Sequence, residues 1–333
     1  MRKPIAALAA LAMCAALAAC SSNDGGGAST TGGTSTGGAS TTGAKPFISI
    51  VSKGFQHQFW QAVKSGAEQK ATELGVEIEF VGPASETEVE SQMTMLDNAL
   101  AKKPAALGFA ALDSKAAAST LDKFKAAGIP VIAFDSGVDS DIPLTTAATD
   151  NKAAAKEAAK QMCALINNKG KVGMIVHDQT SKSGMDRRDG FQAGMAAYCP
   201  DVTVLEPQYG AGDQAKSADI AKAIMAANPD ISGIFGSNEG SAIGALKGVE
   251  EAGMSGKVHL VGFDSGKAQT DAIRAGTMDG AITQDPVGMG AAVVQAAVDA
   301  INGKTLAKFI DTGFYWYTKA NIDDPKIAAV LYD

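Results

Sequence analysis

The chain has 333 residues, 46% of them hydrophobic and 20% charged, with a formal net charge of −7. That length accommodates two domains of ordinary size, and the composition is that of a globular protein. The acidic balance, with no cluster of lysine or arginine, argues against a nucleic-acid partner.

Arg2 and Lys3 open the chain, an apolar run from Ile5 to Ala19 follows, and Leu17-Ala18-Ala19-Cys20 closes it. A short basic start, an apolar stretch of this length and small residues at its end describe a secretory signal over residues 1–19, too short to span a bilayer. Leu-Ala-Ala-Cys resembles the bacterial lipobox, in which Cys20 is lipidated and becomes the mature N-terminus. An ordinary signal peptide with an incidental cysteine is the alternative. Residues 20–44 are almost all Ser, Thr, Gly, Ala and Asn, which cannot bury enough apolar surface to order themselves and read as a flexible linker. Losing Arg2 and Lys3 with the signal takes the side-chain charge from −7 to −9. No second long apolar stretch follows, so the expected place is extracytoplasmic, in the periplasm or on the outer face of the cell membrane, held by a lipid rather than a spanning helix. Cys163 and Cys199 are left as one pair in an oxidising compartment, either a disulfide or two buried thiols. Neither has further ligands at metal spacing, and no metal site is expected.

From Lys45 short apolar runs alternate with amphipathic segments. The strand candidates are 47–52, 76–81, 106–110, 130–134, 171–176, 202–206, 231–236, 258–263 and 280–283, each continuous and apolar as strands covered on both faces should be. Phe59, Val63, Ala67, Lys70 and Leu74 fall at helical spacing, as do Val89, Met93, Leu96 and Leu100. Gly75 and Gly128 stand where helices should stop. This alternation predicts an α/β fold with doubly wound parallel sheets. The stretch from Leu144 to Asn151 breaks the pattern, and a new strand–helix series starts after it, so two lobes fit better than one long sheet.

Ligands of open α/β sheets bind beyond the C-terminal ends of the strands, and two facing lobes would place both sets of ends around one cleft. Those ends are polar here: Ser52, Asp135, Asn238, Asp264 and Gln284. Any one could cap a helix. Together they supply the carboxylates and amides that vicinal hydroxyl groups require.

At these residues the chain resembles the periplasmic sugar-binding proteins of the ribose/galactose type, the receptors of ABC importers. The resemblance rests on Ile50-Val51-Ser52 with Phe59-Trp60, the stretch from Ala127 to Asp135, Thr149-Asp150-Asn151, and Arg187 to Phe191. Ile234 to Glu239, Val261 to Asp264 and Ile282 to Pro286 complete it. It implies a type I periplasmic binding protein, with lobes at 45–149 plus 286–311 and at 150–285 plus 312–333 joined by a three-stranded hinge. It also implies a bidentate arginine at Arg187, carboxylates at Asp135 and Asp264, and amides at Asn238 and Gln284. Phe59 and Trp60 would sandwich a sugar ring from one lobe, with Phe263 flanking it from the other. An apolar C–H face packing on aromatic rings, with edge hydroxyls on oriented polar groups, suits that assignment. For Arg187 a surface salt bridge to Asp186 or Asp189 is the structural alternative, and for Trp60 plain core packing.

The implied mechanism is closure of the hinge over the ligand, followed by docking on a membrane permease and release. A monomer with no cofactor is expected. The chain departs from the family's ribose receptors at Ala110 and Ser136, which argues against ribose itself, and His57 stands in a longer first loop as a candidate hydrogen-bonding group, with helix capping or loop packing as its alternative. A sensory receptor using the same cleft, or a binder of a nucleoside or furanosyl signal, is the alternative function. An enzyme is not expected: His57, His177 and His259 are scattered, without metal spacing, a Gly-x-Ser-x-Gly elbow or a P-loop.

Overall fold

The computed structural model describes residues 45–332. The expected signal, Cys20 and the linker lie outside the described residues. Two sheets organise the remainder. The first is built from β1 (Phe47–Val51), β2 (Glu77–Val81), β3 (Ala106–Phe109), β4 (Val131–Phe134), β5 (Thr145–Ala148) and β12 (Phe309–Asp311), in the order β12-β5-β4-β3-β1-β2. All its pairings are parallel. The second contains β6 (Lys171–Val176), β7 (Thr203–Val204), β8 (Gln208–Tyr209), β9 (Ile231–Gly236), β10 (His259–Phe263), β11 (Gly280–Gln284) and β13 (Phe314–Tyr317). Its order is β13-β11-β10-β9-β6-β7, with β8 also on β6, and only β13 runs antiparallel.

Helices cover both faces of each sheet, as apolar parallel strands demand. On one face of the first sheet Ile48 and Ile50 pack with Val63 and Ala67 of α1 (Gln58–Leu74) and Val293 and Ala297 of α9 (Pro286–Ile301). On its other face Val51, Leu107 and Phe109 meet Leu96 of α2 (Val89–Ala101) and Leu121 and Phe124 of α3 (Ala118–Ala126). The second sheet packs likewise between α4 (Asn151–Leu165) with α5 (Lys182–Tyr198), and α6 (Gln214–Ala227) with α7 (Glu239–Glu251) and α8 (Lys267–Ala275). Cys163 near the end of α4 and Cys199 after α5 form a disulfide, with Cα atoms 5.8 Å apart.

Two expectations shift. The interruption at residue 144 is itself a strand, β5, short and poor in large apolar residues. The expected strand 202–206 is reduced to β7 and resumes as β8 beyond Pro207, which has no N–H to give the ladder.

The chain passes between the sheets three times, and an aspartate marks each passage. Asp150 caps α4 by accepting from Ala153 N–H, Asp285 caps α9 by accepting from Gly288 N–H, and Asp311 accepts from Gly313 N–H. Thr149 Oγ1 donates to the Gly313 carbonyl at 3.0 Å, joining the first passage to the third. The C-terminal segment packs β13 and the single turn α10 (Pro325–Ala328) on the second sheet. Tyr332 then enters the core of the first, its ring edge-on to Phe59 with centroids 6.1 Å apart.

α1 and α9 approach so closely that only glycine fits at the contact. A Cβ on Gly290 would lie 2.0 Å from the Val63 carbonyl oxygen, and one on Gly66 would lie 2.0 Å from that of Val287. Both obstacles are backbone and cannot turn aside. Gly290→Ala is expected to destabilise the fold by about 1–3 kcal/mol, the usual cost of overpacking, measured by urea unfolding against wild type.

Candidate functional site

The C-terminal strand ends of the two sheets face each other across a small cavity. Lys53, His57, Phe59, Trp60, Glu86 and Asp135 line it from the first lobe, and His177, Ser183, Arg187, Asn238, Asp264 and Gln284 from the second.

The two aspartates occupy equivalent places. Each follows a Phe at the end of a central strand, each has its N–H bonded to the neighbouring strand (Asp135 to the Ala147 carbonyl, Asp264 to that of Ile282), and each has a positive φ, 55° and 80°. A non-glycine residue held there costs on the order of 1–3 kcal/mol, strain that concentrates at functional sites. The turn aims each carboxylate into the cavity. Among the described residues no protein group hydrogen-bonds the Asp135 carboxylate. Burial raises its pKa to about 6, only partly opposed by Lys53 and Arg187.

Arg187 is held on three sides. Its Nε donates to Asn151 Oδ1 at 2.7 Å, its Nη1 donates to the Ser237 carbonyl at 2.9 Å, and its guanidinium lies 3.7 Å from the centroid of the Phe263 ring. Asp264 Oδ2 stands 3.9 Å from Nη1. Two donors are thus fixed by protein, and the rest of the fork is left for the cavity that the residue lines. Gln284 Nε2 donates to Asp264 Oδ1 at 2.6 Å, while its Oε1 has no partner among the described residues; the same is true of His57 Nδ1. Asn238 caps α7 through its Oδ1, which accepts from Ser241 N–H.

Four lining residues were not singled out from the sequence: Lys53, Glu86, His177 and Ser183. Lys53 is buried, with Nζ 3.8 Å from Glu86 and 3.7 Å from Asp178 across the cleft. Burial opposes its charge, but the carboxylates of Glu86, Asp178 and Asp135 outweigh burial and raise its pKa. Glu86 accepts a 2.7 Å bond from Trp60 Nε1. Burial works against its ionisation, yet Lys53 and the neighbouring histidines hold its pKa down at about 2. Burial holds His177 at about 3, so it is neutral, and its Nδ1 lies 2.8 Å from Ser237 Oγ. His177 directly follows β6, as Asp135 and Asp264 follow their strands, and Lys53 stands two residues after β1, as Asn238 does after β9.

The remaining expected site residues lie elsewhere or differ in pose. Ser52 turns away from the cavity, donating to the carbonyls of Gly54 and Val81. Phe263 is buried beneath Arg187 rather than flanking the cavity. Phe59 and Trp60 both line it, but their rings cross at 84° with centroids 5.0 Å apart. They therefore form an edge-to-face corner on one side and do not sandwich a ring. Where polar contacts were missing, the buried Gln92 donates to the Ala110 carbonyl and Ser136 Oγ accepts from Ser183 N–H across the cleft.

Comparison with known proteins places this geometry. Residues 48–305 match the model of a periplasmic binding protein domain. The D-allose-binding periplasmic protein of Escherichia coli is 28% identical over 260 residues, covering 76% of this chain and 83% of that protein. An ABC transporter solute-binding protein from Agrobacterium vitis, bound to α-D-tagatopyranose, superposes with a TM-score of 0.84 at 33% identity, covering 87% of this chain and all of that one. A second from the same organism, with bound D-fucose, superposes at 0.83 with 32% identity over 86% of this chain and all of the other.

The raised pKa of Asp135 has a definite sign. Its proton-bound form contributes stability that is fully present below its ordinary value of 3.8 and is lost as pH rises through about 6. A ligand whose hydroxyls donate to the carboxylate selects the ionised form. Ligand affinity is therefore expected to rise between about pH 5 and about pH 7.5, and the rise to vanish in Asp135→Asn, measured by titration calorimetry across that range.

Proposed function

The chain belongs to the periplasmic binding protein family, and from that premise we propose that it captures a monosaccharide between its lobes and delivers it to the permease of an ABC importer. One observation carries the reading: carboxylates, an arginine fork, amides and an aromatic corner converge from two lobes on one cavity. Asp135, Asp264, Asn238 and Gln284 accept from or donate to adjacent hydroxyls, and Arg187 donates to a hydroxyl or ring oxygen. The Phe59–Trp60 corner takes the apolar C–H face. Lys53 and His57 add polar groups from the first lobe, Lys53 beside the aspartate most in need of a donor.

The sugar binds the open form, and closure removes it from water. Closure is favoured only by as much as the ligand prefers the closed cleft. The three aspartate-bounded passages are the hinge, dividing lobes at 45–149 plus 286–311 and at 150–285 plus 312–333. The role is binding rather than catalysis, performed by a monomer outside the cytoplasm and tethered through a lipid on Cys20. Names of relatives that include D-allose, D-tagatose, D-fucose, ribose and D-arabinose support a monosaccharide without choosing between hexose and pentose. The replacement of polar side chains by Ala110 and Ser136 argues against ribose itself.

The test is a thermal-shift scan against D-allose, D-tagatose, D-fucose, D-ribose, D-arabinose and adenosine. A ligand at a hundred times its dissociation constant stabilises by about 2.7 kcal/mol. A monosaccharide of the panel is expected to raise the midpoint, and Asp264→Ala to weaken that sugar by about tenfold to a hundredfold, the loss of one charge-assisted contact of about 1.5–3 kcal/mol. A response to adenosine with none to any sugar would overturn the substrate class while leaving the fold intact.

A further inference from the structure

Two helices that begin at the cleft lack an N-terminal cap of their own. α1 starts after His57, whose side chain makes no capping bond, and α8 starts after Gly266, which has no side chain to cap with. The first N–H groups of a helix have no partner within it and are normally met by the preceding Ser, Thr, Asp or Asn. Here each is met from the opposite lobe. Glu239, at the start of α7, accepts from Gln58 N–H through Oε1 at 3.1 Å and from Phe59 N–H through Oε2 at 3.2 Å. In return Gln58 Oε1 accepts from Lys267 N–H at 2.8 Å.

We propose that Glu239 and Gln58 form a reciprocal clasp, each capping a helix of the other lobe, which strengthens the grip on any ligand that closes the cleft without touching it. The inference rests on the reading of the cleft as one that closes over its ligand. Three features support it. Glu239 is only 3% exposed, so its carboxylate is withdrawn from water and depends on those two N–H groups. Its own N–H donates to Asp264 Oδ2 at 2.8 Å, which fixes the clasp to a ligand-facing carboxylate. The caps are also strictly bipartite. Separating the lobes uncaps α1 and α8 together, and the positive end of the α1 dipole loses its counter-charge. Glu239 is thus a positioning residue for closure rather than a ligand contact, since the cavity lining does not include it.

Glu239→Ala removes both acceptors, Glu239→Gln keeps one, and Gln58→Ala opens the reciprocal half. Dissociation constants for whichever of D-allose, D-tagatose, D-fucose, D-ribose and D-arabinose bind the wild type are expected to rise together, about tenfold in Glu239→Ala and less in Glu239→Gln. The ranking of the sugars should hold, and the change should lie in the dissociation rate. Hydrogen exchange in the sugar-loaded protein should accelerate at amides 58 and 59 in Glu239→Ala, and at amide 267 in Gln58→Ala. Unchanged constants and exchange would overturn the clasp, as would a reordering of the sugars, which would make Glu239 a ligand contact. If no sugar, D-ribose and D-arabinose included, binds the wild type, the sugar reading fails and the clasp is read alone from small-angle scattering. Trimethylamine N-oxide, excluded from protein surfaces, favours the closed form. Wild type should then contract at lower concentrations than Glu239→Ala, and superimposable curves would refute the clasp.

Discussion

A charge taken out of water must find partners, and the cleft is arranged around that requirement. Two cations and several carboxylates meet where the strand ends converge, and an unpaired one there would be strongly destabilising. Lys53 carries the arrangement across the gap, because Glu86 belongs to its own lobe and Asp178 to the other. Arg187 is satisfied within the second lobe, by Asn151, the Ser237 carbonyl and the Phe263 face. The first lobe therefore has a cation whose pairing is completed by the second, whereas the second holds its arginine ready before anything binds. Preorganisation of that kind lowers the ordering cost at the moment of binding.

Asp135 and Asp264 extend the same logic to the backbone. In both lobes a buried Phe anchors the strand, and the next residue is forced into a conformation that side chains avoid. Capping alone does not account for such strain, since an aspartate in an ordinary extended conformation caps a helix well. The two carboxylates differ in environment. Asp264 already serves Gln284 and the α7 N-terminus. Asp135 faces the cavity without a protein donor and bears the electrostatic cost as a raised pKa. One side of the site is thus built in advance, and the other is completed by what enters.

Much of this was legible in the sequence. The apolar runs and glycine stops marked the α/β alternation, and the polar residue after each run marked the cleft, because a strand's end is where its backbone hands over to a loop. Asp135, Asn238, Asp264 and Gln284 line the cavity and came from that reasoning, whereas Arg187, inside α5, came only from the resemblance. Lys53 and His177 satisfied it equally but sat beside more obvious neighbours, Ser52 at one strand end and the helix bearing Arg187 after the other. Glu86 lay beyond reach: it enters from the loop between β2 and α2, and only the tertiary fold brings it to Trp60 and Lys53. The mutual angle of Phe59 and Trp60 was hidden as well, since adjacent helix residues diverge around the axis and spacing alone does not fix how their rings meet. β5 escaped because its Thr-Thr-Ala-Ala sequence carries little apolar signal, and its strand character comes from neighbours on both sides.

The close seam between α1 and α9 gives the hinge a mechanical advantage. Val287, whose backbone abuts Gly66, lies two residues beyond Asp285, at the passage from the second sheet back to the first. α1 in turn begins at the aromatic corner of the cavity. At Gly66 and Gly290 backbone meets backbone, so neither contact can give way by a side chain turning aside. The seam therefore makes one stiff strut that runs from the passage at Asp285 to Phe59 and Trp60 at the cavity, built as a lever rather than as a flexible arm.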